Sequence, residues 1–143
     1  MLGNTHQNFL SQYAEPDKHY SYDNAPISYL QKSDKIKPEI LRAALDDKNM
    51  DVRAAAAINP TADAEHMRKA LSDRDWYVRY QAVQNKNITV DMLRKTIKDK
   101  DAGVRWASVK HHLATPEMLN TALDDDSVLV KNEARAALTS RGL

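Results

Sequence analysis

Asp73-Arg74-Asp75-Trp76-Tyr77-Val78-Arg79 is the stretch on which the fold turns, because its frame of Asp, five residues, Arg returns along the chain. Asp47 and Arg53 hold the same offset upstream, Asp99 and Arg105 downstream, and Asp125 with Lys131 repeats it with a conservative change. Arg53, Arg79, Arg105 and Lys131 follow one another at steps of 26 residues. A fixed period of that length marks a stacked array, in which each unit buries its apolar face only against its neighbours.

Aligning the chain on this period exposes apolar columns. One runs Leu45, Leu71, Ile97, Leu123 and another Leu41, Met67, Leu93, Leu119. Ile40, His66, Met92, Met118 and Ala44, Ala70, Thr96, Ala122 complete a stripe with the spacing of one face of a short helix, helix A. Val52, Val78, Val104, Val130 and, four residues on, Ala56, Ala82, Ser108, Ala134 give a second stripe, helix B, whose small residues let neighbours approach closely. Asn49, Asp75, Asp101 and Ser127 stand before helix B as N-cap types. Helix A opens at Lys37-Pro38-Glu39, Asp63-Ala64-Glu65, Thr89-Val90-Asp91 and Thr115-Pro116-Glu117, with Pro and acids suited to a helix N-terminus. Asn59 and Asn85 fall where helix B ends, and left-handed C′ positions are expected there.

The Asp-x5-Arg column resembles the turn signature of HEAT-type helical repeats. The short unit, with Asp51-Val52-Arg53-Ala54-Ala55-Ala56-Ala57-Ile58-Asn59-Pro60, is most similar to the variant leucine-rich repeat family. The resemblance spans about residues 34–143 and implies a right-handed solenoid of short helices. It implies no particular activity, since such folds host unrelated functions. The iron–sulfur binding associated with a member of that family depends on cysteine, and this chain has none. The expected fold is thus an all-α, right-handed α-solenoid of about four 26-residue two-helix repeats. Residues 1–25, with Tyr13, Tyr20 and Tyr22, form an N-terminal arm or cap, and 26–143 one repeat domain with units near 26–45, 46–71, 72–97, 98–123 and 124–143. Pro26 to Lys32 reads as a degenerate helix B, with Leu30 in the Ala56 column.

Composition narrows the classes further. The 143 residues carry a net charge of +1 and no Cys, which excludes disulfides and thiolate metal sites. No run reaches the roughly 18 apolar residues of a membrane span, and Met1 to Leu10 lacks the basic and apolar regions of a secretory signal. A cytoplasmic location is expected. Charge is nonetheless uneven: residues 79–110 hold eight bases against three acids, whereas 111–143 hold three against five.

Three sets of residues are candidates for function. The Asp column is expected to bind turn amides or the neighbouring Arg, since a feature repeated in every unit belongs to the scaffold. The Arg column serves the same end or, alternatively, faces an anionic groove. The column Ala54, Tyr80, Trp106, Asn132 changes identity from unit to unit, as do Asp51, Tyr77, Gly103, Leu129 and Ile58, Gln84, Lys110, Ala136. Positions 54 and 58 are expected on the outward side of helix B, which gathers Tyr77, Arg79, Tyr80, Gln84, Arg105, Trp106 and Lys110 into one partner-binding face. Arg42, Arg68, Lys69, Arg94 and Lys95 form a second basic stripe on helix A, read as a solvated face or as a phosphate track. His111 and His112 are adjacent, so on a helix they diverge by about 100° and make no chelating pair. No catalytic residue, metal site or cofactor motif emerges.

The expected function is a non-enzymatic binding module, an adaptor or inhibitor with a protein partner. The alternative is nucleic-acid binding through the basic central units, with Tyr80 and Trp106 as stacking platforms; HEAT-like DNA glycosylases hold a duplex on a longer array of this kind. For stability, Leu93→Ala is expected to cost about 2–5 kcal/mol as a core cavity, and Tyr80→Ala far less.

Overall fold

A computed structural model describes residues 26–143; the expected N-terminal arm, 1–25, lies outside the described residues. These residues are all-α, with no strand among them. The helices are α1 Ile27–Lys32, α2 Pro38–Ala44, α3 Met50–Ala57, α4 Ala64–Leu71, α5 Trp76–Val83, α6 Val90–Thr96, α7 Ala102–Lys110, α8 Pro116–Ala122 and α9 Val128–Ser140. They fall into two compact units, one ending at Asn87 and one covering Ile88–Leu143.

In the first unit α3 lies between α1 and α5, and α5 also packs on α4. The reason is in α3 itself: Ala54, Ala55, Ala56 and Ala57 are all buried, so backbones approach with little side chain between them. Leu30, Leu41, Val52, Met67 and Val78 fill the remaining core without exposure. In the second unit α9 packs on α7 and α8, around Leu93, Val104, Val109, Leu119 and Val130. Leu93 is 0% exposed whereas Tyr80 is only half-buried. Leu93→Ala is therefore expected to lower stability by about 3 kcal/mol and Tyr80→Ala by clearly less. Equal losses in urea melts would mean that the two faces had been confused.

Local signals act as their chemistry dictates, with two exceptions. Asn49 accepts from the Asp51 N–H at 2.8 Å, Asp101 from Gly103 at 2.8 Å, and Ser127 from Val130 at 3.5 Å. On the other helix class, Thr89 and Thr115 each accept from the third residue of their helices at 3.2 Å. Asp63 accepts from the His66 N–H, whose hydrogen bond, against the opposing effect of burial, holds the Asp63 carboxyl below its ordinary 3.8. The His66 ring completes a capping box: Nδ1 accepts from the Asp63 N–H and Nε2 lies 2.9 Å from the Pro38 carbonyl. These partners are how a histidine is accommodated at a buried position in an apolar column.

The first exception is Asp75, which makes no side-chain cap. Its carboxylate is drawn instead to the Arg53 guanidinium. The second concerns Asn59 and Asn85. No residue other than Gly142 has a positive φ among the described residues, so neither asparagine is a left-handed C′ residue. Both are buried, and both reach backwards. The Asn59 amide donates to the Leu30 and Ser33 carbonyls at 2.6 and 3.0 Å, and that of Asn85 to Ala57 and Asn59, both at 2.9 Å. Each Oδ1 accepts the backbone N–H two residues on, from Thr61 or Asn87. Ser33 and His111, in the same column, keep only the accepting half, toward the Lys35 and Leu113 N–H groups. In the last turn of the chain Arg141 takes over the donating half, binding the carbonyls of His111, His112 and Ala114.

Candidate functional site

The Asp and Arg columns are built into the frame. Each Asp accepts the N–H two residues on: Asp47 from Asn49, Asp73 from Asp75, Asp99 from Asp101 and Asp125 from Ser127, at 2.7–2.9 Å. Each Arg folds back so that Nη1 donates to the Asp carbonyl six residues before it, Arg53 to Asp47, Arg79 to Asp73 and Arg105 to Asp99. The rest of the fork reaches forward. Arg53 Nε lies 2.9 Å from Asp73 Oδ2, and Arg105 grips Asp125 through Nε at 2.9 Å and Nη2 at 3.1 Å.

This placement removes two cations from the expected binding face. Arg79 is 5% exposed, and Arg105 is committed to Asp125 and Asp99. The Asp125 hydrogen bond raises the Arg105 pKa. Burial pushes the Asp125 carboxyl up, but hydrogen bonds from Arg105 and the Ser127 N–H, with the charges of Arg105 and Lys131, outweigh it and hold the group below 3.8. A depressed folded-state value stabilises the fold above the ordinary carboxyl range, and this contribution is lost as pH falls through the folded value. The melting temperature should accordingly drop below about pH 4, and Arg105→Gln should flatten that acid limb. An acid limb of the same depth in the variant would refute the assignment.

The second basic stripe is largely paired. Arg42 lies 3.5 Å from Glu65, Lys69 2.7 Å from Asp46 and Arg94 2.6 Å from Asp91, while Arg68 and Lys95 are exposed. Exposed pairs of this kind contribute little to stability, and they offset three of the five positive charges a phosphate would meet.

What remains of the expected face is aromatic. Tyr77 and Tyr80, one helical turn apart on α5, stack with ring centroids 6.5 Å apart and planes 14° apart. Trp76 meets both edge-on at 5.7 and 5.9 Å, and it is 49% exposed. Gln84 lies at the end of the same helix, its amide 3.5 Å from the Tyr80 carbonyl. In the second unit Lys110 Nζ sits 4.7 Å over the Trp106 ring, a cation–π contact within α7.

Tyr77 also forms a wall of a groove of about 470 Å³ running over α1, α3 and α5. Ile27 and Gln31 line it from α1, Asp51, Ala54 and Ala55 from α3, and Gln81 from α5. Ala54, expected on the outward side of its helix, is 4% exposed and lies in the lining of this groove. Sequence reading missed Gln31 and Gln81 and left Trp76, weighed as a filler between helices, out of the binding face. The column that would have found Trp76 is Met50, Trp76, Ala102, Val128, the first residue of α3, α5, α7 and α9. Met50, Trp76 and Val128 are all exposed, because the first helical position points away from the stripe that packs.

His111 and His112 do not lie together on a helix: α7 ends at Lys110 and His111 is extended, with φ −66° and ψ 136°. Their rings stack at 4.6 Å. Burial, then the charge of His112, lowers the His111 pKa, in keeping with Nδ1 accepting from the Leu113 N–H. Compared with known proteins, the chain matches no family model and no curated protein.

Proposed function

We propose that this chain is a non-enzymatic helical-repeat binding module, an adaptor or inhibitor that takes a protein partner in the groove over α1, α3 and α5. The fold we propose for it is a right-handed α-solenoid of about four 26-residue two-helix repeats, of the HEAT-like or variant leucine-rich repeat kind. Hydrogen bonds that return at the sequence period, such as Asn59 to Ser33 and Asn85 to Asn59, support that reading. The observation that carries the function is the groove itself, small-residue Ala54 and Ala55 on one side, Tyr77 on another, and exposed Trp76 beside it. Large exposed aromatics next to a preformed recess are what interface hot spots use. No helix among the described residues is long and apolar enough to cross a membrane.

Nucleic-acid binding is the weaker reading, since Arg79 and Arg105, two of its eight central cations, are committed to internal acceptors. The test is a peptide-display selection on the full chain, followed by Trp76→Ala with Tyr77→Ala. Selected peptides should lose at least about tenfold in affinity, the cost of removing one hot-spot group. Equal binding to the double variant would overturn the site. Binding of duplex or single-stranded nucleic acid that falls steeply between about 50 and 200 mM salt would restore the alternative.

A further inference from the structure

We propose that the groove selects a basic partner segment, a stretch of another protein in which a lysine or arginine stands between apolar residues. This rests on the docking reading above and adds the chemistry of the occupant. Asp51 is the single acid or base in the lining; no lysine, arginine or histidine shares it. Its backbone N–H is held by Asn49, but its carboxylate, exposed on the first turn of α3, makes no ion pair among the described residues. The other polar groups of the lining are Gln31, Gln81 and the Tyr77 hydroxyl. An amide offers a donor and an acceptor at once, which suits the backbone of an incoming chain.

The aromatic wall favours the same charge. Tyr77, in the lining, carries a ring whose quadrupole attracts a cation over its face and repels a carboxylate or phosphate, and Tyr80 and Trp76 lie against it at 6.5 and 5.7 Å. Lys110 over Trp106 makes that contact inside this chain. Met50 and Trp76, exposed immediately before Asp51 and Tyr77, supply adaptable apolar contact for the flanking residues. A basic side chain thus meets the Asp51 carboxylate and the Tyr77 ring, while its neighbours can reach the exposed Met50 thioether and Trp76 indole. An acidic segment or a phosphate backbone meets Asp51 with nothing in the lining to offset the repulsion.

The test uses the full chain carrying Trp106→Phe, so that emission reports Trp76 alone. Three short blocked alanine–glycine peptides differ only at their centres, which read leucine–arginine–leucine, leucine–glutamine–leucine and leucine–glutamate–leucine. The arginine peptide should bind about tenfold tighter than the glutamate peptide, with the glutamine peptide between them. Asp51→Asn should remove most of that spread, and Asp51→Lys should invert the order. Circular dichroism should show both variants keeping their helices; Asp51→Asn is close to isosteric. Equal affinities, or an order unchanged in Asp51→Lys, overturn the charge selection while leaving docking intact if Tyr77→Ala, which keeps the Trp76 reporter, still abolishes binding. Absence of binding by all three peptides up to about millimolar overturns selection and docking together. Emission that depends on protein concentration alone would assign the face to a second copy, and a synthetic 1–25 peptide that displaces the arginine peptide would assign it to the chain's own first segment; either overturns the proposal.

Discussion

Arg53→Ala is expected to destabilise the first unit by about 3–5 kcal/mol, the range found when one partner of a buried charge pair is removed. Arg53 is 3% exposed and satisfies four groups at once: the Asp47 and Lys48 carbonyls behind it and the Asp73 and Asp75 carboxylates ahead. The carboxylate of Asp73 is itself almost wholly buried, with a side-chain exposure of 9%. Alanine would leave that charge without its strongest partner and orphan a carbonyl in the turn. With total stabilities of about 5–15 kcal/mol for whole domains, such a loss should be plain in a urea melt at room temperature. Arg53→Lys should recover less than half of it, because an ammonium cannot serve carbonyl and carboxylate from opposite ends of a planar fork. Losing under about 1 kcal/mol in the alanine variant would show that water replaces the guanidinium, and that the column is decoration rather than frame.

The same column shows what the sequence could and could not reveal. Identity and spacing were enough to place Asp73 on a turn amide, since an Asp two residues before an N–H in a turn has a local target. The N-caps at Asn49, Asp101 and Ser127 were legible for the same reason. Asp75 was not: its type fits a cap, but a buried guanidinium outcompetes a backbone N–H, and that guanidinium comes from a residue 22 positions earlier. Arg79 and Arg105 stood open between frame and binding face through a related ambiguity. A helical position next to an aromatic says nothing of whether a long side chain turns back along its own turn, as both do. Tyr77, Tyr80 and the Trp106–Lys110 contact were legible, being local to one helix. The groove was not, because it depends on Ala54 and Ala55 being small at the point where α1 and α5 flank α3. An alanine reads as helix former wherever it occurs; only its neighbours in space make it the side of a recess.

Asn85→Ala is the second large effect expected, a loss of about 3–4 kcal/mol, built from two orphaned polar groups and a small cavity. Asn85 is 1% exposed, and its amide is the partner that the Ala57 carbonyl finds after the end of α3. The Asn59 carbonyl would suffer less, since it also accepts from the Ala62 N–H. The Asn87 N–H would lose the Oδ1 that receives it. An orphaned buried carbonyl costs about 1–3 kcal/mol, a less buried N–H falls at the low end of that range, and the vacated amide volume adds to both. The isosteric change Asn85→Asp separates donor from acceptor: the carboxylate still receives the Asn87 N–H but faces two carbonyls with no hydrogen to give them. It should therefore be at least as damaging as alanine near neutral pH, and should recover as the carboxyl is protonated in acid. Asn85→His keeps an acceptor, as His111 does in the same column, and should fall between wild type and alanine. A shared, small loss for all three would mean that the reach from Asn85 back to Ala57 and Asn59 contributes little, and that the apolar columns alone hold α5 to α3.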